Sequence, residues 1–208
     1  MTRLDEYKQM LIEFHTAFKL PIARSFAEAD TKNCPLRINL IAEEFQEYRA
    51  AGKREEIIDA LGDLLYVVIG AAITVGVSPI DLPKKLEIIP NKGDKPKLDI
   101  TMSVVALIRK LEEKVLCYRG LLDTLTKLYF NLEQAAWALG FDLLTAVRLI
   151  HASNMSKLWT EEEIRSIKDT PNLFSITSSP GGKYIVKRLS DGKVVKSPGY
   201  SPVKLETL

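Results

Sequence analysis

The chain has 208 residues, 46% of them apolar and 27% charged, enough for one domain with a real core. A formal charge of +2 is too small to make nucleic acid the obvious partner, and the longest apolar run, "LLYVVIGAAITVGV" at 64–77, is too short for a bilayer span and reads as a buried helix. The polar N-terminus does not read as a signal peptide, and Cys34 and Cys117 without framework spacing suit free thiols, so the expectation is a cytoplasmic protein, of a cell or of an infected host, with neither membrane nor nucleic acid as partner.

Apolar residues Leu4, Tyr7, Leu11, Phe14 and Phe18 recur at three or four, which predicts a helix from Arg3 to Leu20, ended by Pro21. Residues 21–35 read as a loop. A second helix is expected from Leu36 to Ala51, stopped at Gly52, and a third from Arg54 to Val75, ending in "GVSP". Residues 83–98, with three prolines and a glycine, read as a linker. Helical periodicity returns over 99–139 as two helices broken around Gly120, and "AAWALGFDLL" echoes "AAITVGVSPIDL" as though a helical segment had been inserted. "TEEE" at 160–163 predicts a capping box opening a short helix. In "KYIVKRLSDGKVVKS" the runs 184–189 and 193–197 flank Asp191-Gly192, a dipeptide that signals a hairpin. The fold class is thus all-α, a helical bundle with a small C-terminal β-hairpin: one domain over 1–208, a helical insertion at about 83–139 and a hairpin tail at about 183–204.

The chemistry concentrates in "IAEEFQEYRAA" at 41–51, where Glu43, Glu44 and Glu47 fall within about one helical turn. Like charges so placed cost roughly 0.2–0.5 kcal/mol per pair, a cost that either solvent or a cation removes. The next helix adds Glu56, Asp59 and Asp63 on one stripe, running directly into the apolar segment. Carboxylates beside a core are seldom left uncompensated. Two helices joined at Gly52-Lys53 pack antiparallel, so their acidic faces can converge. Convergent carboxylates without a Cys or His cluster select a hard cation, Mg²⁺ or Mn²⁺, which takes its remaining ligands from water and phosphates. The basic tail, Lys183 to Lys204, suits the anionic part of such a metal–polyphosphate ligand.

"EEFQE" at 43–47 followed by "ALGDLLYVVIG" at 60–70 resembles the all-α NTP pyrophosphatase superfamily, which holds MazG-type, phosphoribosyl-ATP pyrophosphohydrolase-like and dimeric dUTPase proteins. "EFHTAFKLP" (13–21), "HASNMSK" (151–157) and "DGKVVKSPGYSP" (191–202) match its phosphoribosyl-ATP pyrophosphohydrolase-like, MazG-like branch in order. The resemblance implies Mg²⁺- or Mn²⁺-dependent hydrolysis of a nucleoside triphosphate to the monophosphate and pyrophosphate, by a homodimer or homotetramer. By position, Glu44, Glu47 and Asp63 match metal ligands, and Glu43, with Glu44, matches the catalytic acids that bind a further metal or activate water. The family's Glu-x-x-Asp is broken by Ala60, and Asp59, one residue earlier, is expected to substitute. Asn154 and Lys157 match a polar pair suited to phosphate, and Lys196 and Tyr200 are candidates to close over phosphate or base. His15 and Phe18 are candidates for the substrate pocket wall.

Plainer readings exist for the same residues. The glutamates can be a solvated face, Glu56 surface charge, Phe14 and Phe18 core, and His15 and His151, too few for zinc, structural hydrogen-bonding groups. The competing function is a non-catalytic helical module that binds nucleotide or a partner protein, a reading that Ala60 supports. The inserted helices could enlarge a subunit interface or stand in for a second subunit's helices.

Overall fold

The computed structural model describes residues 1–79, 95–167, 172–205 and 208. Most of the expected linker at 83–98 lies outside these residues. Among the described residues the order is α1 (Arg3–Ala17), α2 (Cys34–Ala50), α3 (Arg54–Val75), α4 (Lys95–Glu112), α5 (Tyr118–Ala138), α6 (Leu143–Met155), α7 (Glu161–Arg165), β1 (Phe174–Ser179) and β2 (Lys183–Arg188). The expected all-α bundle with a small antiparallel pair is what the chain forms.

α3 is the axis of the bundle. It packs antiparallel on α2, and on α1, α5 and α6, while α4 pairs with α5 and lies against α2. Its apolar sequence reflects this position. By length and hydropathy α3 could cross a membrane, but 78% of its apolar window is buried inside the fold, which places it as a core helix. The helices after residue 95 cover α2 and α3 of their own chain.

Local chemistry sets the helix ends. α1 opens with Thr2 Oγ1 accepting from the Asp5 amide and the Asp5 carboxylate accepting from the Thr2 amide. Glu56 caps the start of α3 by accepting from the Gly52 and Lys53 amides, so this residue, read as surface charge, fixes the α2–α3 turn. α3 ends at Gly76, whose φ of 65° is the left-handed conformation that glycine adopts without penalty. A Cβ there would stand 2.2 Å from the Ser25 carbonyl oxygen. The loop after α1 lies along this end of α3 through Ala23 N to Ile73 O (3.0 Å) and Asp30 N to Thr74 O (3.1 Å).

Three expectations are corrected. α2 begins at Cys34, because Pro35 is tolerated at the first helical turn, where its missing N–H costs nothing. The break between α4 and α5 falls at 113–117, and Gly120 lies inside α5. The hairpin lies upstream of its predicted place: Phe174–Ser179 pairs with Lys183–Arg188 around Pro180–Gly182, where Gly181 and Gly182 take φ of 73° and 69°. At Asp191-Gly192 the chain does turn, with the Arg188 amide donating to Lys193 O at 2.9 Å, but only the Lys187–Val194 bridge follows. The hairpin packs on the helices through Ile185, which joins Ala17, Phe18 and Leu158, and Val186, which joins Trp159 and Ile164.

Candidate functional site

A cavity of about 410 Å³ opens between α1, α2, α3 and α6, with the C-terminal tail closing one side. Glu44 reaches it from α2, and Asp59 and Asp63 reach it from successive turns of α3. Ser153 and Asn154 enter from α6, Lys157 from just beyond that helix, and Tyr200 from the tail. Gly62 permits this approach of α6 to α3: a Cβ on it would come within 2.3 Å of Ile150 Cδ1.

The electrostatics are those of carboxylates crowded in a partly dry place. Burial pushes the Glu44 carboxyl up to about 8, helped by repulsion from Asp63, Glu47, Glu43 and Asp59. Burial and then Asp59 push Asp63 up to about 7, while Lys157 pulls it back. Asp59 is raised by burial and by Glu47, and its Oδ1 is buried without a hydrogen-bond partner. Lys157 is lowered by burial against the pull of Tyr200 and Asp63, and its Nζ donates to Asn154 Oδ1 at 2.5 Å.

Other expected residues lie apart from this group. Glu47 is exposed and lines a smaller neighbouring cavity of about 290 Å³ with Asp59 and Ala60, so Asp59 bridges the two spaces. Glu43 is exposed, acting on Glu44 through charge. Lys196 sits outside, its Nζ 4.2 Å from the centroid of the Tyr200 ring. Phe18, expected in the pocket wall, is buried behind it in the cluster with Leu158 and Ile185, and Phe14, in ring contact at 4.4 Å, faces the cavity instead. The reason is the helix end: Phe14 lies within α1 and packs edge-on against Tyr66 of α3, while Phe18, four residues on, is the cap residue beyond the helix and packs with Leu158 and Ile185. His15 lines the cavity but is 1% exposed, with both ring nitrogens engaged.

Three residues not singled out as site residues belong here. Tyr66, one turn after Asp63, shares a hydrogen bond with His151 Nδ1 at 2.9 Å, and its hydroxyl is raised by burial. Ser153 Oγ donates to the Tyr200 hydroxyl at 3.3 Å, which holds that phenol below its ordinary value. Arg37 is two turns before Glu44 on α2, a spacing of seven that marks the same helical face.

The donor set fits a hard divalent cation: oxygen ligands alone, one buried oxygen lacking a partner, and carboxylates whose proton affinity is raised by burial and by one another. Among the described residues, however, no three acidic or imidazole side chains are grouped closely enough to hold an ion as they stand.

Residues 11–88 match the family model of phosphoribosyl-ATP pyrophosphohydrolase. The match spans α2 and α3 with every acidic residue of the site and places this segment in the all-α NTP pyrophosphatase superfamily, as its acidic motifs imply. The chain is also similar to the uncharacterized protein L479 of Acanthamoeba polyphaga mimivirus, 28% identical over an alignment covering 91% of this chain and 90% of that protein. No solved structure matches. A pyrophosphohydrolase type of activity toward nucleotides follows at the level of the family.

Proposed function

We propose that the protein is a Mg²⁺- or Mn²⁺-dependent nucleotide pyrophosphohydrolase that converts a (deoxy)nucleoside triphosphate to the monophosphate and pyrophosphate. The observation that carries the proposal is the meeting of Glu44, Asp59 and Asp63 with Lys157 on one cavity, where burial and crowding raise the proton affinity of Glu44 and Asp63 and a cation would relieve the repulsion. Asp59, Asp63 and Glu44 would hold the ion, with Glu47 reaching it from the rim beside Asp59. Bound there, a divalent ion would offset the charge of the polyphosphate and supply Lewis acidity toward it.

The chain's own groups do the rest. Lys157, oriented by Asn154, faces the phosphates, and Tyr200, with Lys196 on its outer face, covers them. A water oxygen bonds to the α-phosphorus, the bond from that phosphorus to the bridging oxygen breaks, and pyrophosphate leaves. The water's proton passes to a carboxylate, Glu43 or Glu44. Apolar side chains of Leu11, Phe14, Leu36 and Leu40 supply a wall for the nucleoside.

The spread of the carboxylates favours one second reading, a non-catalytic module that binds nucleotide without turning it over. Pyrophosphate release from a nucleotide panel with Mg²⁺ or Mn²⁺, for wild type and Asp63→Asn, separates the two. Metal-dependent release abolished by the substitution supports the hydrolase. Binding without release supports the module.

A cytoplasmic site of action, that of the host for a viral protein, fits the free cysteines and the viral relative. Assembly into a homodimer or homotetramer is proposed through the exposed apolar side chains of α5 and α6, Phe130 and Trp137 on the first and Leu149 on the second. Light scattering of the purified protein gives the mass.

A further inference from the structure

At the end of the cavity away from the carboxylates lies a buried cation that the proposed reaction does not use. Arg37 is 4% exposed. Its Nε donates to Thr74 Oγ1 at 2.9 Å, and Nη2 donates to His15 Nε2 at 3.3 Å. His15 is fixed as the acceptor because its Nδ1 donates to the Pro21 carbonyl at 2.7 Å, and burial beside Arg37 keeps the ring neutral, its pKa pushed down to about 4. Both protein partners of the guanidinium are therefore uncharged. Among the described residues no carboxylate forms an ion pair with it, and Asp30 acts on it only from a distance. A buried charge without a counter-ion costs several kcal/mol, and such a cost is retained where a ligand supplies the missing acceptors.

The geometry defines those acceptors. Of the five N–H groups of a guanidinium, two are spent on Thr74 and His15, leaving the Nη1 pair and one Nη2 hydrogen. Gly70 gives them room: a Cβ there would stand 3.2 Å from His15 Nε2 and 3.5 Å from Arg37 Nη1. Two helical turns, about 10 Å, separate Arg37 from Glu44, comparable to the reach of a nucleoside from its 5′-oxygen to the far edge of a purine. The wall between them is apolar.

Resting on the reading of this cavity as a nucleotide site, we propose that Arg37 reads the base and selects 6-oxopurine nucleotides, guanine or hypoxanthine, over adenine nucleotides. A guanidinium fork matches the adjacent acceptors O6 and N7 of a 6-oxopurine. Adenine turns an amino donor toward the same donors and leaves buried groups unpaired. His15 and Thr74 act as positioning residues that aim the fork.

The test measures kcat/KM for dGTP, dITP, 7-deaza-dGTP, dATP and dUTP, and binding of dGMP against dAMP, with wild type, Arg37→Gln and Arg37→Lys. Wild type is expected to favour dGTP and dITP over dATP and 7-deaza-dGTP by about tenfold or more. Arg37→Gln then lowers the dGTP value far more than the dATP value, and Arg37→Lys, which keeps the charge without the fork, does not restore the preference. Should the variants fail to fold, the wild-type series decides alone. Equal use of dGTP and dATP, or a preference for dATP or dUTP, overturns the assignment. Preferred binding of dGMP without turnover of any nucleotide overturns the hydrolase reading and leaves the base assignment standing; turnover without base preference does the reverse. Neither turnover nor binding overturns both.

Discussion

Lys157 donates to the Asn154 amide oxygen at 2.5 Å, and the ammonium so oriented is the cation that draws the Asp63 carboxyl downward against burial and Asp59. One lysine thus serves two neighbours: it orders the amide and moderates the acid. Replacing it with glutamine removes the charge at roughly constant size. Lys157→Gln is expected to lower kcat/KM by roughly a hundredfold, the scale of losing one group that stabilises developing charge, and to raise the Asp63 titration point in NMR of the metal-free protein. An unchanged carboxyl titration would show that the two groups are not coupled.

Glu44 at about 8 and Asp63 at about 7 both exceed the ordinary values of 4.5 and 3.8 for a free glutamate and aspartate. The folded state therefore binds more protons than the unfolded state between those limits, and stability falls as pH rises. This contribution is complete below about pH 4 and is lost by about pH 8. Without divalent ions the melting temperature is expected to decline from pH 5 to pH 8, and Mg²⁺ or Mn²⁺ is expected to recover most of the loss at pH 8. Thermal unfolding at matched ionic strength, with and without metal, checks this; a decline that metal leaves untouched would place its origin elsewhere.

Ala60 occupies the position where the superfamily pattern carries glutamate, and it is 4% exposed beside Glu47 and Asp59. Asp59→Asn is expected to weaken Mn²⁺ binding, followed by electron paramagnetic resonance, by at least tenfold. Ala60→Glu adds a fourth acid to the place that Glu47, Glu56 and Asp59 already line and is expected to lower the metal-free melting temperature without raising turnover. A gain in turnover from Ala60→Glu would mean that Asp59 has not taken the missing ligand's place.

Gly76→Ala tests the turn that anchors the loop after α1. The substituted residue meets an unfavourable φ and a carbonyl oxygen 2.2 Å from its Cβ, so backbone must move. A loss of roughly 1–3 kcal/mol is expected, read by chemical denaturation. Gly52→Ala, where nothing lies within 4 Å, is the control.

The three long N-terminal helices and the acidic pair of faces were legible because periodicity and charge are local. Spacing grouped Glu43, Glu44 and Glu47 on α2 and Glu56, Asp59 and Asp63 on α3, but it was the family resemblance that singled out Glu44 and Asp63 among them. Phe18 could not be told from Phe14, since both fit the period and only the packing of the hairpin decides which one turns away. The strand pairing was misplaced for a related reason. Asp191-Gly192 is a strong local turn signal, but register is set by the long-range contacts of Ile185 and Val186 with the helices. Arg37 left a trace in its seven-residue spacing from Glu44, yet its burial against neutral partners is a tertiary fact. Glu163, read only as a helix cap, also accepts from the Gly199 amide at 2.9 Å and so fastens the tail that carries Tyr200.

The walls of the cavity are drawn from Leu11 at one end of the chain to Val203 near the other. The finished pocket therefore needs both segments in place, and without Tyr200 and Val203 the acidic cleft would stand open on that side. The tail that supplies this cover also sends Leu205 into the core around α3, so one segment serves both the enclosure of the pocket and the packing of the bundle.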